Sequence, residues 1–201
     1  PQAFVRARIR LEDGGESDGA AAELLAPKWF DKNPALTNED NYEQLRLALA
    51  LARDAYLAGG TNTAFGHWRT RYRPQIDAAA KSGLNSLVAC YGPALIDRAL
   101  LDALCRAQGV SFYRAVQTNA VGMESFEGID LRAFAATLKP AGSIAARHTV
   151  GLVDPITAAD QKERVNDGLP ETLEEVVARY GHRYFKLKVG GNVAADVERL
   201  A

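Results

Sequence analysis

Residues 184–193 of this 201-residue chain have the sequence Tyr-Phe-Lys-Leu-Lys-Val-Gly-Gly-Asn-Val, and this stretch decides the fold assignment. Apolar residues occupy every second position, which is the pattern of a half-buried strand, and Gly190-Gly191 ends the run. Lys186 and Lys188 are two positions apart, so the two lysines share one face of the predicted strand.

Helical patterns flank the lysine strand on both sides. Residues 170–180 have the apolar spacing of an amphipathic helix, and Asn192 is a suitable N-cap for a helix that begins at Val193. Strands that alternate with helices belong to parallel sheets whose two faces are both covered. We therefore expect the lysine face to point into a barrel or a cleft. The alternative is an edge strand whose lysines are solvated and prevent edge pairing.

Two lysines on one face support two kinds of catalysis. Their side chains lie roughly 7 Å apart on one pleat, and mutual repulsion together with burial favours the neutral, basic form of one of them. A neutral lysine can remove a proton from the carbon alpha to a carboxylate, with a divalent metal stabilising the enediolate. A buried lysine can instead form a Schiff base with a carbonyl substrate.

The bulk composition excludes several classes of partner. The chain is 47% hydrophobic and 24% charged, which is ordinary for a globular protein, and its net charge is −1. No basic field is present to attract nucleic acid or anionic lipid, and no stretch is apolar enough to span a bilayer. Cys90 and Cys105 are too few for a disulfide framework, which indicates a reducing compartment and hence the cytoplasm.

The first part of the chain predicts an α+β arrangement. Residues 3–11 and 20–25 predict a hairpin, and residues 37–58 predict a long helix. Residues 61–73 are polar and aromatic and are interpreted as a surface loop, after which Pro74 begins a helix. Further along, residues 93–109 predict a helix whose charged side chains lie on a solvated face: Asp97, Arg98, Asp102 and Arg106.

The second part predicts alternating strands and helices after a seam within residues 119–128. Residues 110–116 have weak strand character, residues 130–138 predict a helix, and residues 144–153 predict a strand. The helix of residues 170–180 and the lysine strand follow, and this order is how a parallel barrel begins. Three histidines, at positions 67, 148 and 182, show no metal-ligand spacing.

The lysine strand also resembles a known family. The segment Lys186-Leu187-Lys188 is similar to the Lys-x-Lys region of the enolase superfamily. The similarity extends to residues 172–175 and Gly181 before it and to residues 190–192 and 196–197 after it. The similarity is to the mandelate racemase and muconate lactonizing enzyme branch. The helix of residues 96–104 resembles the last helix of that branch's capping domain. The opening hairpin resembles its β-meander, although Gly-Ala-Ala-Ala-Glu at residues 19–23 replaces the family's Gly-x-Gly-Glu.

The resemblance implies an α+β capping domain over residues 1–125, followed by α/β structure. Residues 126–201 would be the start of a modified TIM barrel, (β/α)₇β, truncated after the second barrel strand. The implied enzyme is a Mg²⁺-dependent racemase or epimerase, cycloisomerase or dehydratase that works through an enediolate. Lys188 would be the general base, Lys186 would favour the neutral form of Lys188 and contact the carboxylate, and Thr149 would contact the substrate.

By the same resemblance, the Mg²⁺ ligands would follow Ala201 and the first capping strand would precede Pro1, so the chain alone is expected to be inactive. A small carboxylate substrate and a homo-oligomer are expected. Two alternatives stay open at this point: a Schiff-base lysine lyase, and a non-catalytic binding module of the same fold.

Overall fold

The computed structural model describes residues 1–200, and the chain divides into two compact units, Pro1–Lys139 and Pro140–Ala201. Ala201, where the predicted barrel segment ends, lies outside the described residues. The division falls after Lys139, whereas the sequence places the boundary after residue 125. The identity of the two parts as a capping domain and the start of a barrel remains a prediction.

The first unit contains a hairpin, six helices and one very short strand pair. Its elements in chain order are β1 (Gln2–Arg10), β2 (Glu16–Leu24), α1 (Asn38–Leu57), α2 (Ala64–Lys81), α3 (Ser86–Ala89), α4 (Tyr91–Gln108), α5 (Phe112–Gln117), β3 (Ser125–Phe126), β4 (Ile129–Asp130) and α6 (Leu131–Ala136). The predicted hairpin and the predicted long helix are confirmed. β1 pairs antiparallel with β2, and Thr37 begins α1 with a capping box that it forms with Asp40.

Two local predictions for the first unit are wrong. Residues 61–73 are not a loop, because α2 begins at Ala64 after the N-cap Thr63 and contains Pro74. The fixed φ of proline is compatible with a helix. Pro74 therefore removes one backbone hydrogen bond from α2 but does not end the helix. Residues 110–116 are not a strand, because the Ser111 side chain accepts a hydrogen bond from the Arg114 N–H and begins α5.

Small residues allow the helices and the hairpin of the first unit to approach closely. A Cβ atom at Gly19 of β2 would lie 2.2 Å from the Ala99 carbonyl oxygen of α4, and one at Gly92 would lie 2.3 Å from the Ala48 carbonyl oxygen of α1. The core around these contacts is mostly apolar, with Leu45, Val88 and Leu95 among its largest buried side chains.

The second unit contains a parallel strand pair and two helices. Its elements are β5 (Arg147–Val150), a single turn of 3₁₀ helix (Ala158–Asp160), α7 (Leu173–Tyr180), β6 (Tyr184–Leu187) and α8 (Val193–Leu200). β5 and β6 pair in parallel, with α7 between them in the chain. Each of the three sheets within residues 1–200 has two strands. No helix in this range is long and apolar enough to cross a membrane.

Local signals explain the elements around the lysine strand. Thr172 is almost fully buried and forms a capping box with Glu175 that begins α7, and Gly181 ends the helix with a positive φ of 64°. After β6, the Asn192 side chain accepts a hydrogen bond of 3.3 Å from the Ala195 N–H at the start of α8. The predicted order of helix, strand and helix is confirmed.

Candidate functional site

The two predicted catalytic lysines lie at the carboxyl end of β6. Lys186 is exposed and Lys188 is half-buried. The Lys188 N–H donates a hydrogen bond of 3.0 Å to the Val150 carbonyl oxygen, so the backbone pairing with β5 continues one residue beyond β6. This bond fixes the backbone of Lys188 beside the end of β5.

The register between β5 and β6 places Thr149 on the same face as the lysines. Thr149 pairs with Lys186, and Arg147 pairs with Tyr184. Paired residues of neighbouring strands point to the same side of a sheet, and residues two apart along a strand do the same. The face therefore carries Arg147, Thr149, Tyr184, Lys186 and Lys188, which we call the lysine face. The predicted site residues are brought together on it.

Arg147 is the member of the lysine face that the sequence analysis missed. It stands two positions before Thr149 in β5 and is exposed. The signal was its spacing from Thr149, which predicts a shared face once the strand is recognised. With Arg147, the face carries three cationic side chains and the hydroxyl groups of Thr149 and Tyr184, a combination suited to a carboxylate ligand.

The opposite face of the same strand pair is apolar and contains a histidine. Val150 is 1% exposed, and its partner Leu187 is half-buried. The ring of His148 lies 5.7 Å from that of His182, with the ring planes tilted by 35°. The two faces therefore differ in chemistry, and the polar groups suited to a carboxylate lie on one of them.

The loops at the carboxyl ends of both strands are held by hydrogen bonds. After β5, the Gly151 N–H donates a hydrogen bond of 2.6 Å to an Asp154 oxygen. The Arg199 guanidinium of α8 donates hydrogen bonds of 2.8 and 2.9 Å to the carbonyl oxygens of Gly151 and Asp154. These bonds tie α8 to the loop beside the lysine face. A positioned scaffold of this kind is what a binding site on loops requires.

The glycine turn after β6 already has an anionic partner. The N–H groups of Gly190 and Gly191 each donate 2.8 Å to the Asp196 carboxylate. A phosphate would compete with this carboxylate for the same donors. The arrangement is that of a strand-to-helix turn whose backbone donors are satisfied within the chain.

The described residues do not fit a Mg²⁺ site. Within residues 1–200, no group of three or more His, Cys, Asp or Glu side chains is placed so that it could hold a metal ion. Mg²⁺ requires several oxygen ligands in near-octahedral geometry. We therefore derive no chemical step through Mg²⁺, whose involvement remains an implication of the family resemblance.

A second cluster of polar side chains lies between α1, α2 and α4 in the first unit. The Tyr56 hydroxyl donates 2.6 Å to an Asp97 oxygen, and the His67 ring stacks on Tyr56 with centroids 5.9 Å apart. Burial raises the pKa of Asp97 to about 6, although the hydrogen bond from Tyr56 acts to lower it. Burial also raises the pKa of Tyr56. Burial, with a contribution from Arg71, lowers the pKa of His67.

This cluster corrects the interpretation of Asp97 as part of a solvated helix face. Asp97 is half-buried because it faces Tyr56, which lies 41 residues earlier in the chain. Asp102 is also engaged, since it accepts a 2.9 Å hydrogen bond from the Ala20 N–H of β2. The two carboxylates join α4 to α1 and to the hairpin, so their role here is structural.

Comparisons with family models, with curated proteins and with solved structures found no match to this chain. The resemblance to the enolase superfamily has no support from them and rests on the quoted residues.

Proposed function

We propose that this chain supplies the lysine part of an active site that removes the proton alpha to a carboxylate. The reaction would be that of a racemase or epimerase, a cycloisomerase or a dehydratase, with Lys188 as the general base. The observation that carries the proposal is the lysine face, where Lys186 and Lys188 lie at the end of a parallel strand beside Thr149 of the neighbouring strand.

The proposed chemistry assigns roles to four groups of the lysine face. The Lys188 amine, acting as the base, would take the proton from the alpha carbon, and the electron pair of the broken C–H bond would move into the carboxylate to give an enediolate. Lys186 and Arg147 are exposed cations that would bind the carboxylate and offset its growing charge. The Thr149 hydroxyl would donate a hydrogen bond that orients the substrate.

The half-buried position of Lys188 suits the base, and the exposed position of Lys186 suits the carboxylate contact. This difference between the two lysines supports the assignment of the roles in this order.

The test is exchange of the alpha proton with solvent. The full-length protein would be incubated in ²H₂O with a panel of 2-hydroxy and 2-amino carboxylates, with and without Mg²⁺, and deuterium incorporation followed by NMR. We expect Lys188→Arg to reduce exchange by at least about a thousandfold, because arginine stays protonated at all accessible pH values. Lys162→Arg, at an exposed lysine of the same unit, is the matched control.

Two results would remove the proposal. Exchange at the wild-type rate in Lys188→Arg would exclude Lys188 as the base. A borohydride-trapped adduct on Lys186 or Lys188 after incubation with carbonyl substrates would instead assign Schiff-base chemistry to the face.

The location and partners belong to the same proposal. We propose a cytoplasmic enzyme that acts on a small carboxylate and forms a homo-oligomer. The two cysteines support the location, since Cys90 and Cys105 are free thiols, as expected in a reducing compartment.

A further inference from the structure

Helix α8 carries two side chains of opposite charge that point to the same side. Asp196 and Arg199 are three positions apart, which places them on one face of the helix. Both are half-buried, whereas the neighbouring Glu198 is exposed. Asp196 and Arg199 are therefore directed into the second unit, and Glu198 is directed away from it.

The Asp196 side chain holds the turn that follows β6. Its two carboxylate oxygens each accept one hydrogen bond of 2.8 Å, the first from the Gly190 N–H and the second from the Gly191 N–H. Hydrogen bonds from backbone N–H groups to a carboxylate are charge-assisted and stronger than neutral ones. Gly190 comes two residues after Lys188, so the chain is fixed directly beyond the proposed base.

The Arg199 side chain holds the turn that follows β5. Its Nη2 atom donates hydrogen bonds of 2.8 and 2.9 Å to the carbonyl oxygens of Gly151 and Asp154. The Asp154 carboxylate closes the same turn, because it accepts a hydrogen bond of 2.6 Å from the Gly151 N–H. Gly151 comes two residues after Thr149, so this strand too is fixed directly beyond a residue of the lysine face.

The backbone pairing of the strands connects the two turns. The Lys188 N–H donates a hydrogen bond of 3.0 Å to the carbonyl oxygen of Val150, and the turn held by Arg199 begins at the next residue. Thr149 is paired with Lys186 in the same register. A movement of either turn would therefore change the position of Lys188 relative to Thr149.

Glycines make the end of the lysine strand dependent on this support. Gly191 has a positive φ of 91°, and two adjacent glycines give the backbone more freedom than any other pair of residues. Without the Asp196 carboxylate, the Gly190 and Gly191 N–H groups would lose the partner that defines their orientation. The order of this turn thus comes from α8 and not from the turn itself.

We propose that Asp196 and Arg199 are positioning residues, which act through the two turns to place Lys188 and Thr149 for removal of the alpha proton. This inference rests on the proposed function of the lysine face. Each side chain acts through the backbone that it holds, and α8 keeps the two turns at a fixed separation. The effect on rate is large because a displacement of about 1 Å at the reacting groups costs about a hundredfold.

Alpha-proton exchange by variants of the full-length protein tests the proposal, with the carboxylate that the wild type exchanges fastest. We expect Asp196→Ala and Arg199→Ala each to lower kcat by at least about tenfold and to change KM by less than about threefold. KM should change little because the proposed carboxylate contacts, Lys186 and Arg147, lie on the strands. Glu198→Ala removes an exposed carboxylate of the same helix and should keep the wild-type kcat and KM.

Conservative variants and amide hydrogen exchange separate positioning from a loss of folding. Asp196→Asn keeps one acceptor oxygen, so its kcat should lie between those of the wild type and Asp196→Ala. Arg199→Lys keeps a cationic donor and should recover part of the activity that Arg199→Ala loses. Followed by mass spectrometry, amides in residues 184–190 should exchange at least about tenfold faster in Asp196→Ala, whereas those of α7, residues 173–180, should be unchanged.

The outcomes distinguish this inference from the proposed function. Loss of alpha-proton exchange in Lys188→Arg, with wild-type kcat in Asp196→Ala and Arg199→Ala, would overturn the inference alone. A higher KM with unchanged kcat would also overturn it, because the two residues would then act in binding. Equal loss of amide protection in residues 173–180 and 184–190 would reduce their role to stability. Wild-type exchange in Lys188→Arg would remove the proposed function and this inference with it.

Discussion

The half-buried pair of Tyr56 and Asp97 makes the stability of this chain depend on pH in a specific direction. The pKa of Asp97 is raised from an ordinary 3.8 to about 6 by burial, so the folded chain holds this proton more tightly than the unfolded chain. Its contribution to stability is present below about pH 4 and is lost as the pH rises through about 6. This sign is opposite to that of a salt-bridged carboxylate such as Asp18, whose pKa is lowered.

The size of the effect follows from the shift. A difference of about two pKa units corresponds to about 3 kcal/mol in the free energy of unfolding. Asp97 is half-buried, and solvent screening reduces this value, so we expect about 1–2 kcal/mol. Asp97→Asn carries no ionisable group, so the difference in stability between the wild type and this variant isolates the contribution of Asp97.

Urea denaturation followed by circular dichroism at about pH 4.5 and about pH 7.5 measures that difference. Relative to the wild type, we expect the free energy of unfolding of Asp97→Asn to increase by about 1–2 kcal/mol from the lower to the higher pH. Asp77→Asn, at an exposed carboxylate of α2, is the control and should show no such gain. The reasoning would be refuted if the free energies of unfolding of the wild type and of Asp97→Asn differed by the same amount at both pH values. Tyr56→Phe should widen the pH dependence, because the phenol's hydrogen bond lowers the pKa of Asp97.

Two further predictions concern packing and capping. Gly19→Ala should lower the free energy of unfolding by more than about 2 kcal/mol, since its Cβ would lie 2.2 Å from the Ala99 carbonyl oxygen. A Cβ atom at Gly142 would meet no other atom of residues 1–200, so Gly142→Ala should leave the thermal midpoint unchanged or slightly raised. Equal thermal midpoints for the two variants would contradict the close approach of Gly19 to Ala99. Thr172→Ala should cost about 1 kcal/mol through loss of the α7 capping box, and Thr172→Ser should restore most of it in the same melt.

Elements with a local signal are predictable from the sequence. The capping box of Thr37 and Asp40 and the left-handed Gly109 at the end of α4 are set by a few neighbouring residues, so α1 and the end of α4 are assigned correctly. The error at α2 has a local cause too. Phe65, Trp68 and Tyr72 have helical spacing, and each ring contacts the next at a tilted angle, but the polar residues among them concealed the period.

Features that depend on distant contacts were not predictable. Asp97 lies on the charged side of an amphipathic pattern, and only the packing of α1 against α4 brings it to Tyr56. The contact of the outer edge of β2 with α4 is equally invisible in the sequence. The alternation of β1 shows which side chains are buried, but the closure of one hairpin edge by Asp102 and Arg98 depends on where α4 lies.

The lysine face shows how packing selects the residues that chemistry can use. A shift of one residue in the β5–β6 register would replace Arg147 and Thr149 on this face with His148 and Val150. Val150 is 1% exposed, so such a shift would bring a fully buried side chain to the lysine side. Burial of a single valine, worth about 1.5–3 kcal/mol, thus keeps a hydroxyl and a guanidinium beside the two lysines. We infer that the composition of the face is set by the apolar side of the same strands.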